Sequence, residues 1–471
     1  MLFNSITFLI FYLIVTTLYF VLNHKYRWAL LLIASCYFYM FFIPEYILIL
    51  FATIVVDYFA GIYIEKAKSE SQKKNLLIIS VVTTCLILFY FKYYNFLIEN
   101  IDLLSAKLHL PLDINRASII LPIGLSFHTF QSLSYVIEVF KGRFKAEKHF
   151  GIYSLYVMYY PQLVAGPIER PQNVLHQFYQ KVEFDVNRFF SGLYLIFWGL
   201  FKKVVVADRL STFVDAVYNN SEHHSGSSLA AATVLFALQI YCDFSGYSDV
   251  ARGASRTMGI ELMVNFRRPY FARSVTEFWR RWHISLSTWF RDYLYISLGG
   301  SKISVPRTYI NLFVTFLISG LWHGANWTFV VWGGLNGVML IIEKLWYSAF
   351  PVKNGIVKLL RSVTGYIYTF LFICLTWIFF RATSIEQSLV IVKKIVFDKG
   401  SFFTQKNDFW FYALLGIAIL FCVDWIQENK RGYLKVFQSH TILKYAGIVI
   451  LFLLLTLFGS NKESQFIYFQ F

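Results

Sequence analysis

Apolar stretches longer than about 18 residues recur from one end of this chain to the other, and a stretch of that length is what crosses a bilayer as a helix. In hydrocarbon every backbone N–H and C=O needs a partner within its own segment. The pattern therefore predicts an all-α polytopic membrane protein. Spans are expected near 3–22, 28–43, 46–64, 75–98, 118–140, 151–168, 189–207, 229–250, 308–325, 327–347, 363–381, 409–426 and 443–459. Some of these are expected to be re-entrant or interfacial, giving about 11–13 elements. The chain is 57% hydrophobic and only 15% charged, well below the roughly 25% charge of soluble domains. A soluble globular fold and a disordered chain are both excluded.

Lys and Arg number 43 against 27 Asp and Glu, a net charge of +16. In a soluble protein that excess would point to nucleic acid. In a membrane protein it reflects cation-rich cytoplasmic loops, and no nucleic-acid partner is expected. The 23–27, 65–74 and 141–149 loops carry Lys25 and Arg27, then Lys66, Lys68, Lys73 and Lys74, then Lys141, Arg143, Lys145 and Lys148. Lys107 and Arg116 of the 99–117 loop are balanced by acids. Counting spans puts the first three loops on one side, the cytoplasmic one, and the N-terminus on the extracytoplasmic side. The first cation is Lys25, so the opening segment reads as an uncleaved span rather than a signal peptide. The five cysteines are widely spaced and form no CxxC, and no HxxxH or HExxH occurs, so no metal site is expected.

Residues 252–307 depart from their surroundings. Arg252, Arg256, Arg267, Arg268, Arg273, Arg280, Arg281, Arg291, Lys302 and Arg307 alternate with aromatics such as Phe266, Tyr270, Phe278, Trp279, Trp282 and Trp289. Amphipathic interfacial helices, Arg outward and Trp inward, fit this pattern. Two roles stay open for the cations: anchoring to lipid headgroups, and an electropositive mouth for a phosphorylated cytoplasmic donor, since Arg pairs well with phosphate.

Three of the ten histidines lie in or beside apolar segments: His128, His283 at the end of Phe278-Trp-Arg-Arg-Trp-His283, and His323 in Ser319-Gly-Leu-Trp-His-Gly-Ala-Asn-Trp327. A group costly to bury inside a membrane is a functional candidate by default. Gly320 and Gly324 flank His323 and would let another backbone or a substrate chain approach closely. Asp57, Glu138, Asp208, Asp243, Asp249, Glu343 and Asp424 also interrupt apolar runs. The densest cluster, Tyr241-Cys-Asp-Phe-Ser-Gly-Tyr-Ser-Asp249, is read either as hydrogen bonding to the Arg-rich segment or as the wall of a polar cavity. There is no GxSxG, P-loop or GxGxxG, so serine-hydrolase, nucleotide-hydrolysis and Rossmann chemistries are set aside.

Longer motifs run in order along the chain: Leu121-Pro-Ile-Gly-Leu-Ser-Phe127, Pro161-Gln-Leu-Val-Ala-Gly-Pro-Ile168, Phe197-Trp-Gly-Leu-Phe-Lys-Lys203, and Gln239–Asp249. They continue with Asn265-Phe-Arg-Arg-Pro-Tyr270, Phe278–Ser287, Arg291-Asp-Tyr-Leu-Tyr-Ile-Ser-Leu-Gly-Gly300, Gly320–Trp327 and the tail Phe466-Ile-Tyr-Phe-Gln-Phe471. In these motifs the chain resembles the membrane-bound O-acyltransferases, in the bacterial branch that acetylates alginate and peptidoglycan. The resemblance implies one domain over 1–471, with N-terminal helices to 117, a catalytic core over 118–347, and C-terminal helices with the aromatic tail over 348–471. It implies a ring of helices around a transbilayer tunnel, and a bacterial cytoplasmic (inner) membrane location. His323 and His283 are implied as the catalytic pair. Asp243, Ser245, Asn265, Arg280, Arg281, Trp322 and Asn326 are candidates for the tunnel or donor site, and His128 is left as a tunnel or packing residue.

Acyl transfer to a hydroxyl needs a base and stabilisation of the developing oxyanion. His323 is expected either to take the hydroxyl proton or to become acylated itself, and His283 to orient the donor or polarise its carbonyl. The resemblance implies acetyl-CoA as donor substrate with no bound cofactor, a membrane-lipid environment, and an extracytoplasmic O-acetyltransferase partner. Peptidoglycan is weighed slightly ahead of alginate-like polymer as acceptor. Lipid-headgroup anchoring is the role expected of the aromatic tail, with partner docking as the other possibility. The competing class is a multi-spanning transporter or flippase for a polysaccharide precursor, which would not need His323.

Overall fold

A computed structural model describes residues 1–109, 114, 116–117, 119–164, 166–351, 355–405, 407–429, 441–460 and 465–469. Among these residues the regular structure is helical and there is no strand. Seven helices are long and apolar enough to cross a membrane: Tyr46–Lys66, Glu70–Lys107, Val186–Tyr218, Gly226–Thr257, Trp327–Ala349, Leu360–Arg381 and Asp408–Asn429. Ile6–Val21 and Tyr445–Phe458 are shorter apolar helices. Most expected spans fall on one of the helices, within a few residues at each end.

The expected span 151–168 is not one helix. Phe150–Met158 covers 9 residues, and a new short helix begins at Tyr160 with Pro161 in its first turn. Proline lacks an N–H and favours the start of a helix over its interior. A 9-residue helix is far short of the roughly 20 residues a crossing requires. Residue 118, the first of one expected span, and Ala165, inside another, lie outside the described residues, as do His440 and tail residues 470–471.

Backbone proximity divides the chain into two compact units. The first comprises Met1–Gly192 with Ala254–Met263. Its core is organised around Asp57, fully buried on Tyr46–Lys66. The carboxylate accepts from Ser80 at 2.5 Å and Thr84 at 3.3 Å on Glu70–Lys107, and from Ser132 on Leu125–Phe140. Among the described residues, three hydroxyls and no cation thus meet the carboxylate, answering the cost of burying it.

The second unit comprises Leu193–Gly253 and Val264–Phe471. Its framework is a hairpin of Val305–His323 and Trp327–Ala349. A Cβ added at Gly320 would lie 3.1 Å from the Phe329 carbonyl carbon and 3.2 Å from the Gly333 Cα. The glycine therefore serves backbone-to-backbone packing of the two helices. Of the two expected close approaches, the neighbouring helix is the one that takes this space. Asn326 caps the second helix by accepting from Thr328 N at 3.0 Å, and its amide donates to the Thr383 carbonyl at 2.9 Å.

Segment 252–307 begins in the last turns of Gly226–Thr257 and ends in the first turn of Val305–His323; between them lie the short elements Pro269–Phe271, Val275–Arg281, Ile284–Trp289 and the π-helical Phe290–Tyr295. Arg280 and Arg291 face outward while Phe278, Trp282 and Trp289 are buried, as the pattern implied. The buried Glu343 carboxylate accepts from Val275 N at 2.6 Å and Thr276 N at 2.8 Å, and Tyr368 donates to it as well. A carboxylate at a helix N-terminus meets both the orphan amides and the positive end of the dipole. Further along the same helix, Trp279 Nε1 donates to Asn336 Oδ1 at 3.1 Å. Val275–Arg281 thus runs along Trp327–Ala349 from Glu343 toward Trp332, in the direction of His323.

Candidate active site

His283 sits at the turn between Val275–Arg281 and Ile284–Trp289 with φ 42° and ψ 55°. That left-handed conformation is uncommon outside glycine, though histidine visits it more readily than most. Asn265 holds the turn: its carbonyl accepts from Ile284 N at 2.9 Å, and its Oδ1 from Ser285 N at 3.1 Å and Ser285 Oγ at 2.9 Å. The same Oδ1 lies 3.2 Å from His283 Nδ1. His283 is buried against Phe244 (ring centroids 4.6 Å), Phe266 (6.2 Å) and Trp322 (6.5 Å). Burial pushes its imidazole pKa down to about 3, because the charged form loses its hydration. At neutral pH the ring is uncharged.

His323, the last residue of Val305–His323, is likewise buried. Its ring is walled by Trp322 (4.9 Å), Trp332 (4.9 Å), Phe380 (5.3 Å) and Tyr468 (5.7 Å). Trp322 contacts both histidines, so the two share one aromatic chamber. Trp332 Nε1 and the Tyr468 hydroxyl are buried and have no hydrogen-bond partner among the described residues. Both are donors left over in the wall around His323.

Tyr468 reaches this chamber because the tail is folded inward. Phe466 and Ile467 are buried, and Ile467 N donates to Asp243 Oδ2 at 2.6 Å. Lys203 Nζ lies 2.5 Å from Asp243 and 2.9 Å from Asp208, and donates to the Gln465 carbonyl at 3.3 Å. Phe466 packs on Tyr247 (4.8 Å) and Tyr468 on Phe244 (4.7 Å). This corrects the expected headgroup-anchoring role for residues 466–468: they are part of the site's wall. Apolarity alone does not tell a lipid-facing segment from one buried in protein.

A cavity of about 860 Å³ is lined by both helices of the hairpin and by the Thr276–Tyr295 segment. Arg280, Arg291 and Lys344 supply its cations; Ser287, Thr288, Thr315 and Ser319 supply hydroxyls. Lys344 lies over Tyr309, near the hairpin's open end. Ser319 is one helical turn before His323. The cavity thus runs along the hairpin from Lys344 to Ser319, one turn short of the histidine.

The remaining candidates are placed as follows. Asp243 joins the tail clamp. Ser245 Oγ accepts from Lys202 Nζ at 2.9 Å, and Lys202 also pairs with Asp249 at 2.6 Å. Arg280 lines the cavity and is exposed, whereas Arg281 is engaged by Glu277 at 2.6 Å and Glu428 at 2.9 Å. Asn326 is the hairpin cap. The carboxylates of the 241–249 cluster are met chiefly by Lys202 and Lys203 of Phe201–Ala207, with Arg252 also on Asp249 at 3.0 Å. Asp424 accepts from Tyr241 at 2.9 Å. His128 lies in the first unit, buried, its ring 5.8 Å from that of Tyr39. The residues missed in sequence are Trp332, Tyr468 and Lys344; the signal for Tyr468 was a cluster of carboxylates in apolar runs that needed partners from elsewhere in the chain.

These features define a multi-pass membrane protein with a buried two-histidine site. The chain belongs to the membrane-bound O-acyltransferase family, which it matches over residues 17–386, and it is an acyltransferase. It is 38% identical over 390 residues to the protein named Probable alginate O-acetylase AlgI of Pseudomonas aeruginosa, covering 82% of this chain and 73% of that one. It is 32% identical over 494 residues to the Peptidoglycan O-acetyltransferase of Helicobacter pylori, covering 94% and 91% of the two chains. The Teichoic acid D-alanyltransferase of Bacillus subtilis is 25% identical over 267 residues, or 54% of this chain and 66% of that one. Family membership sets aside the transporter alternative.

Proposed function

We propose that this protein moves an acetyl group from acetyl-CoA on the cytoplasmic side across the membrane for O-acetylation of an extracytoplasmic polysaccharide, with peptidoglycan the favoured final acceptor. The names of its relatives support acetylation of a polysaccharide, and the near full-length match to the peptidoglycan enzyme supports that acceptor. An extracytoplasmic transferase completes the delivery in this reading, and the protein works in the bacterial inner membrane with its N-terminus outside. The alternation of helices supports that orientation by bringing the 23–27, 65–74 and 141–149 loops to one end. Membrane lipid is its other partner, against exposed span residues such as Leu13, Ile79, Phe411 and Val449.

The observation that carries the reading is His323 enclosed with two buried donors, one helical turn beyond Ser319 of a cavity that Arg280, Arg291 and Lys344 line. Arg280, Arg291 and Lys344 meet the donor's phosphates, in keeping with the affinity of such groups for phosphate. His283 Nε2 accepts a hydrogen bond from the donor's amide arm and fixes its thioester. His323 takes the proton from the acceptor hydroxyl as its oxygen bonds to the carbonyl carbon. Trp332 Nε1 and the Tyr468 hydroxyl stabilise the oxyanion that forms. The C–S bond then breaks, and the thiolate recovers the proton from His323.

The test is base-labile acetate on purified wall and exported polysaccharide fractions from a deletion strain, its complement, and His323→Ala at matched abundance. Loss from the peptidoglycan fraction in both defective strains supports the reading. Unchanged acetate in every fraction overturns it.

A further inference from the structure

Histidine can carry its single neutral proton on either ring nitrogen, and the partner of one nitrogen decides the state of the other. At His283 that partner is Asn265. The amide of Asn265 has one orientation available, because Ser285 N is a donor that cannot deprotonate and needs an oxygen 3.1 Å away. Turning the amide over would set Nδ2–H against that N–H, donor facing donor. The Ser285 hydroxyl, 2.9 Å from the same atom, donates there too. The group 3.2 Å from His283 Nδ1 is therefore a carbonyl oxygen, which only accepts.

We infer that Asn265 is a positioning residue that fixes His283 in the Nδ1–H tautomer, so that Nε2 carries the lone pair and can act only as an acceptor. The backbone contributes to the same end. The carbonyl of Asn265 accepts from Ile284 N at 2.9 Å, and the Asn265 side chain receives Ser285 N one residue later. These bonds bracket the left-handed His283 (φ 42°). One residue thus sets both where the ring points and which nitrogen is protonated. The groups against the ring include Phe244, Phe266, Trp322, Asn265 and the Ser285 hydroxyl, all uncharged, and burial accounts for the low basicity of the imidazole.

The assignment rests on the proposed role of His283 in acetyl transfer, yet it can be tested apart from it. It narrows that role: Nε2 has no hydrogen with which to polarise a thioester carbonyl, and is suited to accepting one instead.

The first test needs no variant. The full-length protein, labelled with ¹⁵N-histidine and reconstituted in nanodiscs, is compared with His283→Gln to assign the His283 signals. A bare-nitrogen shift at Nε2 with a protonated shift at Nδ1 is expected near pH 7. The reverse pattern overturns the inference whatever the enzyme's substrate is. The second test is kinetic. Asn265→Ala should lower turnover on the order of 10–100-fold, the scale seen when the partner that orients a metal-bound histidine is lost. Asn265→Asp keeps an acceptor at Nδ1 but adds a negative charge, which favours the imidazolium. Its activity should gain an acid limb near neutral pH that the wild type lacks, whatever its maximal rate. A pH profile superimposable on the wild type's would overturn the positioning role. Failure of acetyl transfer in the wild type, with the Nδ1–H tautomer present, would sink the proposed function and leave the tautomer assignment standing.

Discussion

The backbone N–H of Ile467 donates to Asp243 Oδ2 at 2.6 Å, joining residues 224 positions apart. Lys203 completes the clamp from the other side of the carboxylate. Hydrogen bonds to charged groups contribute about 1.5–3 kcal/mol, and removing one partner of a buried ion pair costs about 3–5 kcal/mol. Asp243→Ala is therefore expected to lower the unfolding midpoint in detergent and to release the tail. A cysteine placed at Ile467 should become reactive to maleimide in that background while staying protected with Asp243 intact.

His323→Ala should reduce acetylation by about 10²–10⁴-fold, the range of a lost general base, with membrane abundance unchanged. Quantitative immunoblotting beside acetate release checks both halves. Wild-type acetate at equal abundance would remove His323 from the chemistry.

The cavity cations make a graded prediction. Arg280 and Lys344 are exposed, where one charge pair contributes at most about 1 kcal/mol. Arg280→Ala or Lys344→Ala should raise the KM for donor several-fold and leave kcat nearly unchanged. The effect should shrink as salt rises, since such charges are screened over about 8–10 Å. Initial rates against donor concentration at two ionic strengths decide it.

Acid should destabilise the fold through His283. Its pKa is held at about 3 against an ordinary 6.5, so between these values the unfolded chain binds the extra proton. Stability contributed by the neutral ring is complete above pH 6.5 and is lost as pH falls toward 3, by at most about 1.4 kcal/mol per unit. Unfolding midpoints of the wild type and His283→Gln, measured from pH 7 to 4.5, should converge as the pH drops. Parallel lines would contradict the burial of a neutral ring.

Much of the membrane fold was legible because hydrocarbon imposes a length: the expected 46–64 is Tyr46–Lys66, and 308–325 is Val305–His323. Where one proline could end a helix, at Pro161, apolarity hid the break. His128, His283 and His323 stood out because a buried imidazole is costly, and the family resemblance singled out the last two. Their surroundings did not, since Arg281 finds Glu428, and Asp243 finds Ile467, across distances that no local pattern records. Sequence showed which charges needed partners but not which partners met them.

The glycine-mediated hairpin divides labour within the site. With the backbones of Gly320 and Phe329 in direct contact, the strip bearing His323 is packed main chain against main chain. The opposite wall, at Tyr468, hangs on a few polar bonds and stacked rings. The chamber thus has one wall set by main-chain contact and one set by side-chain bonds to residues 466–468, so a substitution at Asp243 would disturb Tyr468 before it reached His323.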